Sequence, residues 1–272
     1  MTSTLMLAQD IAQRVRSLLN PLDEFIPLHE PEFCREDEAL VLDCIRSGWV
    51  SSVGKYVDQF ESQIAAACNV RYGVAVVNGT AALEVAMRVV GVAPGDEVLI
   101  PSMTFIATAN AVSHLGAVPH FVDVDEVSHG LDPLALRTHL ERIVEQRNGN
   151  SWNRQTGRRL SCVVPMHTFG HPVDMPGLET VAADFGLAIV EDAAEALGSR
   201  LDNRMCGGMG HVSALSFNGN KILTTGGGGA IVTNNPDLAK RAKHLTTTAK
   251  TKHPWAFFHD ATIIACPIST LP

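Results

Sequence analysis

From about residue 72 onward the chain alternates between two patterns. Short unbroken apolar runs rich in β-branched residues fall at 73–77, 97–100, 120–123, 162–166, 187–191, 212–217 and 229–233. Between them lie stretches with apolar residues at helical spacing, at 81–90, 105–114, 133–145, 175–185 and 237–245. Apolar runs with little alternation, joined by helices, predict strands buried on both faces of a sheet. Ahead of this rhythm the pattern predicts helices at 5–19, 36–47 and 57–67, the last two separated by the glycine-bounded stretch 48–55. The Asn/Arg-rich run 147–159 reads as an exposed loop.

The expected fold is α/β, a mostly parallel sheet of about seven strands flanked by helices. Too few residues separate Phe217 from Gly229 for a crossover helix, so an antiparallel strand is expected there. In such sheets ligands bind beyond the carboxyl ends of the strands, which directs attention to the polar residues just past each one.

Composition narrows the class. The chain has 272 residues, 46% hydrophobic and 18% charged, as expected of a globular protein. A net charge of −8 argues against nucleic acid or an anionic membrane as partner. The six cysteines form no CxxC pair and no Cys/His metal spacing, which fits a reducing compartment. No signal-peptide core and no membrane-length apolar run is visible, so a cytoplasmic location is expected.

Four strand ends carry candidate chemistry. Past Val77, Gly79 and Thr80 open a helix whose N-terminus can hold an anion or simply be capped. Past Ile100, Phe105 is either core or a stacking aromatic. Past Val190, Asp192 needs a cationic partner, either an arginine or a protonated ring nitrogen. Past Phe217, Lys221 precedes the glycine run 226–229; it is either a solvated charge or an amine that can form an imine with an aldehyde. His167, His171 and Asp174 lack a fourth close ligand and read as backbone contacts or a substrate-facing histidine, not a metal site. The 49–55 stretch is a lid or a connection, and Asp123 and Asp125 cap a strand end. A phosphate cradle, a ring stack, an acid for a pyridinium nitrogen and an imine lysine are together what pyridoxal 5′-phosphate requires. No GxGxxG stands at the first strand–helix turn, against a nicotinamide-binding reading.

The stretches NGTAALEVA, GDEVLIPSMTFIATANAV, GAVPHFVDVD, VVPMHTFGHPVDM, IVEDAAEALGS and SALSFNGNKILTTGGGGAIVTNN occur in this order. With them the chain resembles the DegT/DnrJ/EryC1/StrS sugar aminotransferases, pyridoxal-phosphate enzymes of fold type I. FIPLHEPEF and GWVSSVGKYVDQFE resemble its legionaminic acid and bacillosamine branch, which aminates C4 of a UDP-linked 4-keto-6-deoxy-N-acetylhexosamine with glutamate as donor. The resemblance implies Lys221 as the Schiff-base lysine and Asp192 as the pyridinium partner. It implies Phe105 as the stacking ring, and Gly79, Thr80 and Ser216 as the phosphate cradle with Asn218 nearby. Glu195 stands near the ring hydroxyl, where the family often has Gln or His. Relatives with 3-dehydrase chemistry replace the lysine with histidine, so Lys221 speaks against that chemistry. An inert cofactor-binding relic, or a partner for an intact subunit, is the other alternative. The implied assembly is a homodimer with the active site across its interface.

The resemblance also divides the chain into an arm (1–30), a cofactor-binding large domain (31–260) and a tail (261–272). Relatives continue past HPWAFFHD into GYNYRMPNINA and a small C-terminal domain. The residues from Ala261 to Leu271 can be written in codons that, regrouped by one base with a G supplied at the first position, spell that motif. The expectation is an out-of-frame tail on a truncated chain, lacking the small domain and the cross-subunit contact, with little or no transaminase activity.

Overall fold

The predicted rhythm is realised in a computed structural model that describes residues 3–19 and 29–249. The tail and the frameshift reading therefore lie outside the described residues. The chain divides into two units at Cys34/Arg35. In the first, α1 (Ser3–Leu19) carries Leu7, Ile11, Val15 and Leu18 as a helical stripe, all exposed.

The second unit runs through α2 (Arg35–Ser47), α3 (Lys55–Ala67), β1 (Tyr72–Val76), α4 (Gly79–Val89), β2 (Glu97–Pro101), α5 (Ile106–His114) and β3 (Val118–Val122). It continues with α6 (Pro133–Ile143), β4 (Val144–Arg147), β5 (Asn150–Asn153), β6 (Arg159–Val163) and α7 (Met175–Phe185). It closes with β7 (Ala188–Asp192), the short β8 (Arg200–Leu201) and β9 (Arg204–Met205), β10 (Val212–Ser216), β11 (Gly229–Thr233) and α8 (Pro236–Thr246). The main path of the sheet is β1-β11-β10-β7-β6-β2-β3. The pairs from β10 to β3 are parallel, and β11 is antiparallel to both β10 and β1, as the short connection required.

Side-chain alternation sorts the core into two layers. Leu99, Leu215 and Val232 point to the face covered by α6 and α7, with Leu136, Leu140, Met175 and Leu178. Val98, Ile100, Ala214 and Ile231 point to the other face, with Ala82, Ala86 and Met87 of α4 and Ala111 and Val112 of α5. The inner strands β2, β6, β7, β10 and β11 are mostly buried on both sides, which is why the sequence shows runs and not alternation there.

Two expectations fail at one place. The helix predicted to Glu145 ends at Ile143, and the run 147–159 is not a loop throughout, because β4 and β5 form an antiparallel hairpin that joins the sheet through β6. Its inward residues are Ser151 and Asn153, each about 1–2% exposed. Ser151 donates to the Phe185 carbonyl at 2.6 Å, and Asn153 donates to Glu97 at 2.9 Å. A strand that buries polar side chains with polar partners leaves no hydrophobic alternation to detect. Among the described residues, no helix is long and apolar enough to cross a membrane.

Candidate active site

Parallel neighbours bring the carboxyl ends of β7 and β10 to one edge, and the loops after β1 and β2 open onto it. A cavity of about 400 Å³ lies there, and its wall includes Gly79, Thr80, Phe105, Asp192, Glu195, Ser216, Asn218 and Lys221. All eight residues expected at a cofactor site thus line a single cavity.

The lysine is held by its loop. Phe217, 1% exposed, packs edge-on against Phe60 of α3 with ring centroids 5.2 Å apart. The Phe217 amide donates to the Gly228 carbonyl, and its own carbonyl accepts from the Thr225 amide. The 217–228 segment is therefore closed at its base, and the Lys221 amide closes a turn onto the Asn218 carbonyl. The Lys221 side chain is only 11% exposed. Its Nζ donates to Glu195 Oε1 at 3.1 Å and stands 5.6 Å from the centre of the Phe105 ring.

Asp192 ends β7 with its side chain in the cavity wall, 3% exposed. Burial pushes its carboxyl above its ordinary value, against the pull of the Thr108 hydroxyl, the Ala194 amide and the Lys221 charge. No cation forms an ion pair with it among the described residues. Phe105 is 61% exposed, so it is not core, and its amide and the Thr104 hydroxyl donate to Met166 Sδ.

Elsewhere in the wall, Asn78 caps α4 by accepting from the Ala81 amide at 2.8 Å. The amides of Gly79 and Thr80 belong to the first turn, whose donors have no acceptor within the helix. Gly79 lies so close to β10 that a Cβ there would stand 2.8 Å from Ser216 Cβ. A cavity lined by helix-start donors, a buried carboxyl without a cation, an aromatic face and a lysine amine fits pyridoxal 5′-phosphate.

Sequence reasoning missed several neighbours. Thr108 donates to Asp192 at 2.8 Å, and Met166, Asn78 and Asn220 line the cavity. Thr108 follows Phe105 by one helical turn, which is the only trace it leaves in the sequence. Of the two readings of the histidines, backbone contacts hold and the substrate-facing one does not: His167 is fully buried and its Nε2 meets Glu191 at 3.0 Å. Its Nδ1 accepts from the Val173 amide, which puts the ring proton on Nε2. Glu191 also accepts from the amides of Gly207, Met209 and Gly210 and from the Ser213 hydroxyl. His171 is exposed, and no cluster of metal-ligating groups occurs among the described residues. Asp125 caps its turn as expected, accepting from the Val127 and Ser128 amides.

The model of the DegT/DnrJ/EryC1/StrS aminotransferase family matches residues 31–264. The chain is 34% identical over 237 residues to a GDP-perosamine synthase of Escherichia coli O157:H7, covering 87% of this chain and 60% of the relative. It is 38% identical over 215 residues to the dTDP-3-amino-3,4,6-trideoxy-alpha-D-glucose transaminase of Streptomyces venezuelae, covering 79% and 52%. A solved DegT DnrJ EryC1 StrS aminotransferase from Brucella abortus superposes with a TM-score of 0.73 at 32% identity, over 80% of this chain and 56% of that one. The chain thus spans between 52% and 60% of the length of these relatives.

Proposed function

The chain belongs to the DegT/DnrJ/EryC1/StrS aminotransferase family, whose cofactor is pyridoxal 5′-phosphate, and from that premise we propose that it serves transfer of an amino group from glutamate to a nucleotide-linked keto-sugar in glycan biosynthesis. The observation that carries the reading is the joint position of Lys221, Asp192, Phe105 and the start of α4 around one cavity. Bound there, the cofactor supplies an electron sink that lets an amino group pass from donor to acceptor.

The chain's own residues do the rest. The amides at the start of α4, with the hydroxyls of Thr80 and Ser216 and the amide side chain of Asn218, hold the phosphate. The exposed Phe105 ring offers a flat face for the heterocycle. Asp192 meets the ring nitrogen; a carboxyl whose ionisation burial disfavours gains most from a cationic partner. Lys221 Nζ anchors the cofactor and moves a proton at the reacting carbon. Glu195 accepts a hydrogen bond from Nζ and so holds the free amine in place.

The finer substrate is C4 of a UDP-linked 4-keto-6-deoxy-N-acetylhexosamine, supported by the FIPLHEPEF and GWVSSVGKYVDQFE stretches. The names of the two curated relatives carry GDP and dTDP sugars instead. A homodimer and a cytoplasmic location belong to the same proposal. The test is a single turnover of the reconstituted protein with glutamate, then with UDP-, GDP- and dTDP-linked 4-keto-sugars. Any turnover, which the sequence expectation sets at little or none for this chain, should appear as loss of the cofactor's aldehyde absorbance with release of 2-oxoglutarate, and recovery on adding the UDP sugar. No borohydride-reducible imine at Lys221, or recovery with the GDP or dTDP sugar and not the UDP sugar, would overturn it.

A further inference from the structure

The Glu195 carboxylate makes two bonds in opposite directions. Oε1 accepts from Lys221 Nζ at 3.1 Å, and Oε2 accepts from the backbone amide of Phe169 at 3.1 Å. Phe169 occupies the left-handed region with φ 53° and ψ 26°, a conformation that non-glycine residues adopt only when their surroundings enforce it. Its own side chain does not enforce it, being 80% exposed. Gly170, with φ 80°, lies so close to residue 195 that a Cβ there would stand 2.7 Å from the Glu195 carbonyl oxygen. The turn at 168–170 is thus seated on Glu195 through both its backbone and its side chain.

We infer that Glu195 is a positioning residue that ties the Phe169 turn to Lys221, so that the surface beside the cavity follows the state of the lysine. The ammonium fixes one carboxylate oxygen, and that orients the other toward the Phe169 amide. A covalent bond to Nζ replaces the free ammonium that Oε1 holds, and the turn responds. The cofactor half of this inference rests on the proposed function. The Lys221–Glu195–Phe169 half does not, since it concerns the chain without cofactor.

Amide hydrogen exchange at Phe169 tests it, with Val190, Leu215 and Ile231 as core controls that report unfolding. In the cofactor-free protein, Glu195→Ala should speed Phe169 exchange about tenfold, the loss expected for a hydrogen bond to a charged acceptor. Lys221→Met should speed it severalfold with the controls unchanged. Glu195→Gln, which keeps an acceptor but not a charge, should retain part of the protection and make Phe169 insensitive to Lys221→Met. An unchanged Phe169 rate in Lys221→Met or in Glu195→Ala overturns the inference. Adding pyridoxal 5′-phosphate should shift the Phe169 rate in the parent protein and leave it unmoved in Glu195→Ala. A cofactor bound at Lys221 with no shift at Phe169 also overturns it. If no cofactor attaches to Lys221, the proposed function fails, and the Lys221→Met comparison still decides the coupling.

Discussion

Thr108 donates its hydroxyl proton to Asp192 at 2.8 Å, joining α5 to the end of β7 inside the cavity wall. Thr104 shares the same hydroxyl at 2.7 Å, so a short polar chain runs from the start of α5 to the buried carboxylate. This chain partly offsets the desolvation of Asp192 and, with the Ala194 amide on the other oxygen, orients the carboxyl. Thr108→Val keeps the volume and removes the donor. It should push the Asp192 carboxyl further up and weaken binding of pyridoxal 5′-phosphate about tenfold, measured by titration at the cofactor's absorbance band.

Asp192→Asn separates stability from function. A carboxyl whose folded pKa lies above its unfolded value binds its proton more tightly in the folded state. The folded chain therefore loses stability as pH rises through the window from the unfolded to the folded value, and the penalty persists at neutral pH. Asparagine removes that penalty and can still pair with Thr108 and the Ala194 amide. The cofactor-free variant should melt higher than the parent at pH 7 and lack this pH-dependent loss, while binding cofactor at least about tenfold more weakly.

Glu97 acts in the opposite sense. Burial disfavours its charge, but hydrogen bonds from Thr156, Asn153 and His120 outweigh burial and hold its carboxyl below its ordinary value. Its contribution is present above the unfolded pKa and is lost as pH falls through the folded one. Glu97→Ala strands three polar partners, Asn153 on β5, Thr156 just beyond it and His120 on β3. It should cost about 2–3 kcal/mol near neutral pH, read by urea unfolding, and the deficit should shrink in acid.

Gly79→Ala tests the closeness of α4 to β10. The added methyl would sit 2.8 Å from Ser216 Cβ, so one of the two elements must shift. Overpacking of this kind costs about 1–3 kcal/mol. Cofactor affinity should fall along with the melting temperature.

The order of elements was legible because the central strands are apolar on both faces and the helices keep a 3.6-residue period. Gly79, Thr80, Phe105, Asp192 and Lys221 were legible because they stand at or past strand ends, where a parallel sheet collects ligands, while Glu195, Ser216 and Asn218 were named only through the family resemblance. What escaped the sequence was pairing between distant polar groups. His167 meets Glu191 across 24 positions and Thr108 meets Asp192 across 84, and neither partner leaves a periodic signal. The β4–β5 hairpin escaped for a related reason: Ser151 and Asn153 fill its inner positions with side chains that read as loop.

Reduction with borohydride after adding pyridoxal 5′-phosphate, followed by peptide mapping, tests the central claim most directly. The account predicts a stable adduct on Lys221 that disappears in Lys221→Ala. An adduct absent from Lys221, or spread equally over exposed lysines such as Lys55 and Lys240, would contradict it.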